Sequence, residues 1–173
     1  VGSEMCIRDR NWDGIAEGFT AAESISLRDA ARLWEHRPTA EQKVRVETDR
    51  DLLRQTAASR RFGEVRLFRY AEQFSETQQQ QFSATAFLLD SDTVYVAFRG
   101  TDNTLTGWRE DFNLSFLPYV PSQAAAAAYL RGILSLGFSN VYVGGHSKGG
   151  NLAVYAAVQM QPKDFPRIRA VYN

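Results

Sequence analysis

The sequence predicts an α/β domain built on a mixed sheet, antiparallel in its early strands and parallel in its late ones. Three observations carry this. A short β-prone run at 141–143 enters a glycine-rich turn and leaves as a helix. Two extended runs, 82–89 and 93–99, are separated only by Asp90-Ser91-Asp92, a turn too short for anything but antiparallel pairing. An alanine-rich stretch at 123–136 and a β-prone run at 168–172 flank the glycine turn, giving strand, helix, strand, helix, strand, the order that builds parallel pairs.

Taken in order, residues 1–10 have neither a helical nor a strand period and read as an artefactual leader, which sets Cys6 aside. Residues 11–173 are then the N-terminal and central part of one domain. Ser26-Leu27-Arg28-Asp29 reads as a capping box opening a helix, with Ala30, Leu33 and Trp34 on one face and a stop at His36-Arg37-Pro38. His36 reads as a surface histidine at a helix C-terminus, where a cation suits the dipole. Residues 44–61 are charged but place Leu52, Leu53, Thr56 and Ala57 for one helical stripe that ends at Phe62-Gly63. Val65, Leu67 and Tyr70 fall in an extended run, and the glutamine-rich 75–81 joins it to the next strand as a hairpin loop. The helix at 123–136 closes with Gly137, and Pro162 and Pro166 mark a loop before the last strand.

The composition excludes several functions. With 44% hydrophobic residues in 173, the chain has material for one real core. Twenty basic residues balance twenty acidic ones, so no overall field attracts nucleic acid or an anionic membrane. One cysteine and two histidines exclude an intrachain disulfide and leave no zinc set, and no metal or cofactor is implied. No run has the length of a transmembrane helix, and residues 1–30 lack the apolar core of a signal peptide, so a cytoplasmic location is expected.

The chemistry concentrates at 141–155. Gly145-His146-Ser147-Lys148-Gly149 fits G-x-S-x-G, a nucleophile elbow with a serine at the tip of a tight strand-to-helix turn. Glycine at 145 and 149 removes Cβ atoms that would collide as the helix folds back over the strand, and Gly150 and Ala153 extend the small surface. A plain glycine turn serves a three-position pattern equally well. The helix that begins inside the motif adds chemistry, because its first N–H groups face the space above Ser147, where a negative oxygen develops in acyl transfer. A phosphate-binding loop is excluded, since Lys148 is followed by glycine rather than a hydroxyl residue.

A second glycine turn, Phe98-Arg99-Gly100-Thr101-Asp102, ends a strand upstream and is followed by Trp108, Asp111 and Phe116. This block resembles the F-R-G-[ST] and downstream W-x-x-D of class 3 (fungal-type) lipases, and the elbow is similar to their G-H-S-x-G-G. The wording from Phe98 to Thr104, at Gly107-Trp108 and 110–113, and from Gly144 to Tyr155 more nearly resembles a bacterial family of uncharacterised lipase-like domains. The resemblance implies an α/β-hydrolase fold, truncated at the C-terminus. It also implies Ser147 as nucleophile and the backbone N–H groups of Thr101 and Lys148 as the oxyanion hole. The Lys148 side chain is then either solvated or set against an acidic substrate group. The His146 ring packs beneath the turn, and Trp108 and Asp111 hold the oxyanion loop.

The expected function is a lipase- or esterase-like serine hydrolase acting on a small-molecule or lipid carboxylic ester through an acyl-enzyme on Ser147. The alternative is a non-catalytic hydrolase-fold module that binds a ligand. The triad acid and histidine follow the serine in chain order. No histidine lies between Ser147 and Asn173, so the chain is expected to be the front of a longer hydrolase and to lack substantial esterase activity as it stands.

Overall fold

In a computed structural model of the chain, residues 24–38, 42, 44, 47–102 and 104–173 are described; the leader at 1–10, with Cys6, lies outside them. Six strands form one sheet in sequence order: β1 (Ile25–Ser26), β2 (Arg66–Ser75), β3 (Gln80–Leu88), β4 (Thr93–Phe98), β5 (Asn140–Gly145) and β6 (Ile168–Tyr172). Pairing is antiparallel from β1 to β4 and parallel across β4, β5 and β6. Short turns reverse the chain from β2 to β3 and from β3 to β4, whereas helical connections carry it in parallel from β4 to β5 and from β5 to β6; β1 and β2, although antiparallel, are separated by residues 27–65 and the two helices within them.

Helix α1 (Leu27–Glu35) starts where its capping residues put it, with the Asp29 N–H donating to Ser26 Oγ at 3.0 Å, a cap worth about 1 kcal/mol. His36 closes it, exposed, with Nδ1 2.7 Å from the Arg32 carbonyl oxygen. Helix α2 (Thr48–Ala58) is shorter than its charged stretch and buries Ala57, while Leu52 points outward. The glutamine-rich segment is only partly loop, because Gln80 and Gln81 enter β3 and are buried. At the β3–β4 turn the Asp92 N–H donates to Asp90 Oδ1 at 2.9 Å. Asp92 Oδ1 in turn accepts from the Ser139 N–H, fixing the start of β5.

Two helices lie between β4 and β5. Helix α3 (Leu105–Asn113) was not marked by the sequence pattern; α4 (Pro121–Leu134) was, and the turn that follows it passes through Gly137, whose φ of +94° suits glycine. Helix α5 (Lys148–Val158) follows β5, and a 3-10 turn at Pro162–Arg167 leads into β6. The core lies between α4 and α5 and one face of the sheet. Val94, Val96, Val141 and Val143 meet Leu130, Ile133, Leu152 and Ala153, and Phe82 and Phe98 pack edge-on against Tyr129. Among the described residues no helix is long and apolar enough to cross a membrane.

Candidate functional site: a strained serine over a buried ion pair

Strand β5 delivers the chain to Ser147 and α5 takes it away at the next residue. Between them Ser147 adopts φ 59° and ψ −125°, outside the regions open to L-residues, at a cost of about 1–3 kcal/mol. The turn is sharp because its neighbours are bare. A Cβ on Gly149 would stand 2.2 Å from the Phe98 carbonyl oxygen, and one on Gly145 would stand 2.4 Å from the Gly149 carbonyl carbon. The amides of Gly150 and Asn151 donate to the Ser147 carbonyl at 2.9 and 3.2 Å, which starts the helix and leaves its first N–H, that of Lys148, without an intrahelical acceptor. Ser147 itself is exposed.

The second glycine turn lies against this one. Phe98 is in register with Gly145, and a Cβ on Gly100 would sit 2.7 Å from the His146 carbonyl oxygen and 3.8 Å from Ser147 Cβ. Thr101, buried, therefore follows a residue in direct contact with the elbow. Its loop is held by α3: Thr104 N and Oγ1 both donate to Asp102 Oδ1, at 2.9 and 2.6 Å, and Thr104 Oγ1 accepts from the Gly107 N–H that opens the helix. Arg99, the residue after β4, is half-exposed, 3.8 Å from Glu72 and 3.7 Å from Asp102.

The Lys148 side chain goes to neither expected place. It is fully buried, and its ammonium donates to the Gln81 carbonyl at 2.6 Å, Gln81 Oε1 at 2.8 Å and Glu110 Oε2 at 2.9 Å, using all three protons. Glu110, also fully buried, accepts in addition from the Gln81 N–H and from the N–H and hydroxyl of Ser122. One carboxylate thus joins β3, α3, the start of α4 and the elbow helix. A long aliphatic stem explains the outcome: the first residue of α5 faces the sheet, and its amine reaches the only buried carboxylate among the described residues.

Trp108 and Asp111, expected to hold the loop, do not carry this role. Trp108 is 60% exposed, and the loop's own contacts run through Asp102, Thr104 and Gly107; the fully buried carboxylate on this helix is the neighbouring Glu110, which accepts hydrogen bonds from Gln81, Ser122 and Lys148. The signal that marks Glu110 is its place on the helical face of Thr106 and Gly107, both buried. The His146 ring is exposed rather than packed beneath the turn. Neither of the chain's two histidines is hydrogen-bonded to the Ser147 hydroxyl; Nδ1 of His36 engages its own helix. Two surface depressions lie away from the serine, one lined by Ala157, Val158, Phe165 and Ile168 and the other between α1 and α2.

The sequence model of a family described as Mbeg1-like matches residues 56–173. No curated protein and no solved structure matches the chain. The matched span contains both glycine turns, the same residues on which the resemblance to class 3 lipases and to uncharacterised lipase-like domains rested, and it assigns them to a different family. The lipase identification is therefore corrected, and with it the expected ester hydrolysis through an acyl-enzyme on Ser147. The motif misled for a physical reason. The glycines at 100, 145 and 149 are required by backbone clearances under 3 Å, whatever chemistry follows. Since the match covers well over half of its length, the chain belongs to the Mbeg1-like family.

Proposed function

We propose that the chain recognises a small ligand through an oxyanionic group, a carboxylate or a phosphate, seated on the Ser147 turn and bound without turnover. The Ser147 hydroxyl and the N–H groups of Lys148 and Thr101 are the assigned donors. The observation that carries the reading is the conformation of Ser147. A folded chain keeps an exposed serine at φ 59° only where its surroundings enforce it, and such strain concentrates at ligand-contacting positions. The start of α5 favours a negative group at the same point, and neutral donors need no base beside the serine.

The finer topology belongs to this proposal. The parallel set β4, β5, β6 with a sharp serine turn after its middle strand supports an α/β-hydrolase-type arrangement. Partners other than nucleic acid belong to the proposal as well, supported by the balanced charge.

A thermal-shift panel tests the function. Short carboxylates and phosphate esters, each beside its uncharged amide or alcohol, are compared on the wild type and on Ser147→Asp, which places a like charge where the ligand sits. A ligand at a hundredfold its Kd adds about 2.7 kcal/mol, or roughly 5–11 °C for a chain of this size. The expected result is a shift by anionic members that vanishes in Ser147→Asp. A panel without any such shift, or one unaffected by Ser147→Asp, overturns the reading.

A further inference from the structure

Helix α3 is inside out. Its buried face carries Thr106, Gly107 and the charged Glu110, whereas Leu105, Trp108 and Phe112 stand on the opposite face, 75%, 60% and 67% exposed. The spacing i, i+3, i+7 makes these one stripe. Phe116 prolongs it, 69% exposed, with its ring centroid 4.8 Å from that of Phe112 and its N–H on the Asn113 carbonyl. A helix free to choose would turn this stripe inward. The buried pair between Glu110 and Lys148 forbids that, because rotation would withdraw the carboxylate and leave an ammonium buried without its partner. The aromatic face is thus held outward by the contact that anchors the elbow.

We infer that this face is the contact between two copies of the chain, paired about a two-fold axis. Area and charge favour that occupant. At about 150–250 Å² per fully covered aromatic side chain, the stripe with Leu117 and Tyr119, both at least half exposed, offers on the order of 600 Å². Standard interfaces bury about 600–1,000 Å² per partner. The formal net charge is zero, so nothing at long range opposes the approach of a second copy. An anionic lipid surface would call for basic residues around the stripe. Here Arg109 and Asp111 flank it one against one. A two-fold pairing needs no further partner, since the same patch is supplied twice.

Sedimentation velocity and light scattering over a range of concentrations test the inference on the whole chain. The wild type is expected to form a species of twice the chain mass. Trp108→Glu and Phe112→Glu alter exposed side chains, so both variants should keep the wild-type circular dichroism and a cooperative melt while dimerising at least tenfold more weakly. Val158→Glu, at an exposed apolar position on α5, should leave the dimer intact. A wild type that is monomeric at every concentration overturns the proposal, as does a dimer that survives both α3 variants. Vesicle flotation of a monomeric wild type that is lost in Phe112→Glu would assign the face to a membrane instead.

Discussion

Removing Glu110 should damage the fold more than removing the lysine it pairs with. Glu110 accepts four hydrogen bonds, from Lys148 Nζ, the Gln81 N–H, the Ser122 N–H and the Ser122 hydroxyl. In Glu110→Ala the ammonium stays buried with only the two Gln81 oxygens, and two backbone N–H groups lose their acceptor. Breaking a buried pair from one side costs about 3–5 kcal/mol, and each orphaned buried donor adds about 1–3 kcal/mol before relaxation. In Lys148→Met the carboxylate keeps three donors, and the methionine fills much of the stem's volume. Glu110→Ala should therefore be the worse variant by at least about 1 kcal/mol. In melting temperature that gap is roughly 2–4 °C or more for a chain of this length. The double variant Glu110→Gln with Lys148→Met removes both charges and should recover part of the loss. Urea unfolding followed by far-UV circular dichroism measures all three. A Glu110→Ala penalty below about 1 kcal/mol, or a Lys148→Met penalty that exceeds it, would show that Glu110 does not hold this network together.

Other expectations follow from single positions. Ser147→Gly relieves about 1–3 kcal/mol of backbone strain against about 0.5–1 kcal/mol of added chain entropy, so it should raise the melting temperature by a few degrees while weakening ligand binding; a lower melting temperature contradicts this. Gly149→Ala drives a Cβ to 2.2 Å from the Phe98 carbonyl oxygen and should cost about 3 kcal/mol or more, whereas Gly132→Ala, whose Cβ meets only the Arg69 side chain at 3.9 Å, should be neutral or stabilising in denaturant titrations. Burial pushes the Tyr129 phenol well above its ordinary range, and its hydroxyl donates to the Arg69 carbonyl at 2.7 Å. Above about pH 10 the unfolded chain releases this proton and the folded one keeps it. The contribution is therefore complete below that pH and declines as pH rises further. Tyr129→Phe should flatten the alkaline decline seen in pH-dependent urea titrations.

What could be read from the sequence was local. Ser26 and Asp29 announce α1 three residues apart, Asp90-Ser91-Asp92 forces β3 and β4 together, and the glycines at 145 and 149 dictate a turn that only bare backbone can make. The buried network was hidden because its members lie far apart in the chain. Gln81 and Glu110 are 29 residues apart, Glu110 and Lys148 are 38, and each charge taken alone suits a solvated helix. Helix α3 inverts the usual rule: periodicity sends Trp108 and Phe112 inward, whereas the ion pair claims that side for Glu110. The elbow was legible and its chemistry was not. The clearances that select Gly145 and Gly149 involve backbone atoms alone, and they carry no information about what Ser147 meets.

An oxyanionic ligand seated on the Ser147 turn would rest on the amides of Lys148 and Thr101. Titration of the isotope-labelled protein with a short-chain carboxylate and with inorganic phosphate, followed through backbone amide resonances, tests it most directly. Saturable shifts concentrated at Thr101, Lys148 and Gly149 are expected for at least one of the two anions, and none in Ser147→Asp. Saturation without movement of the Lys148 and Thr101 amides, or equal movement in Ser147→Asp, would contradict it.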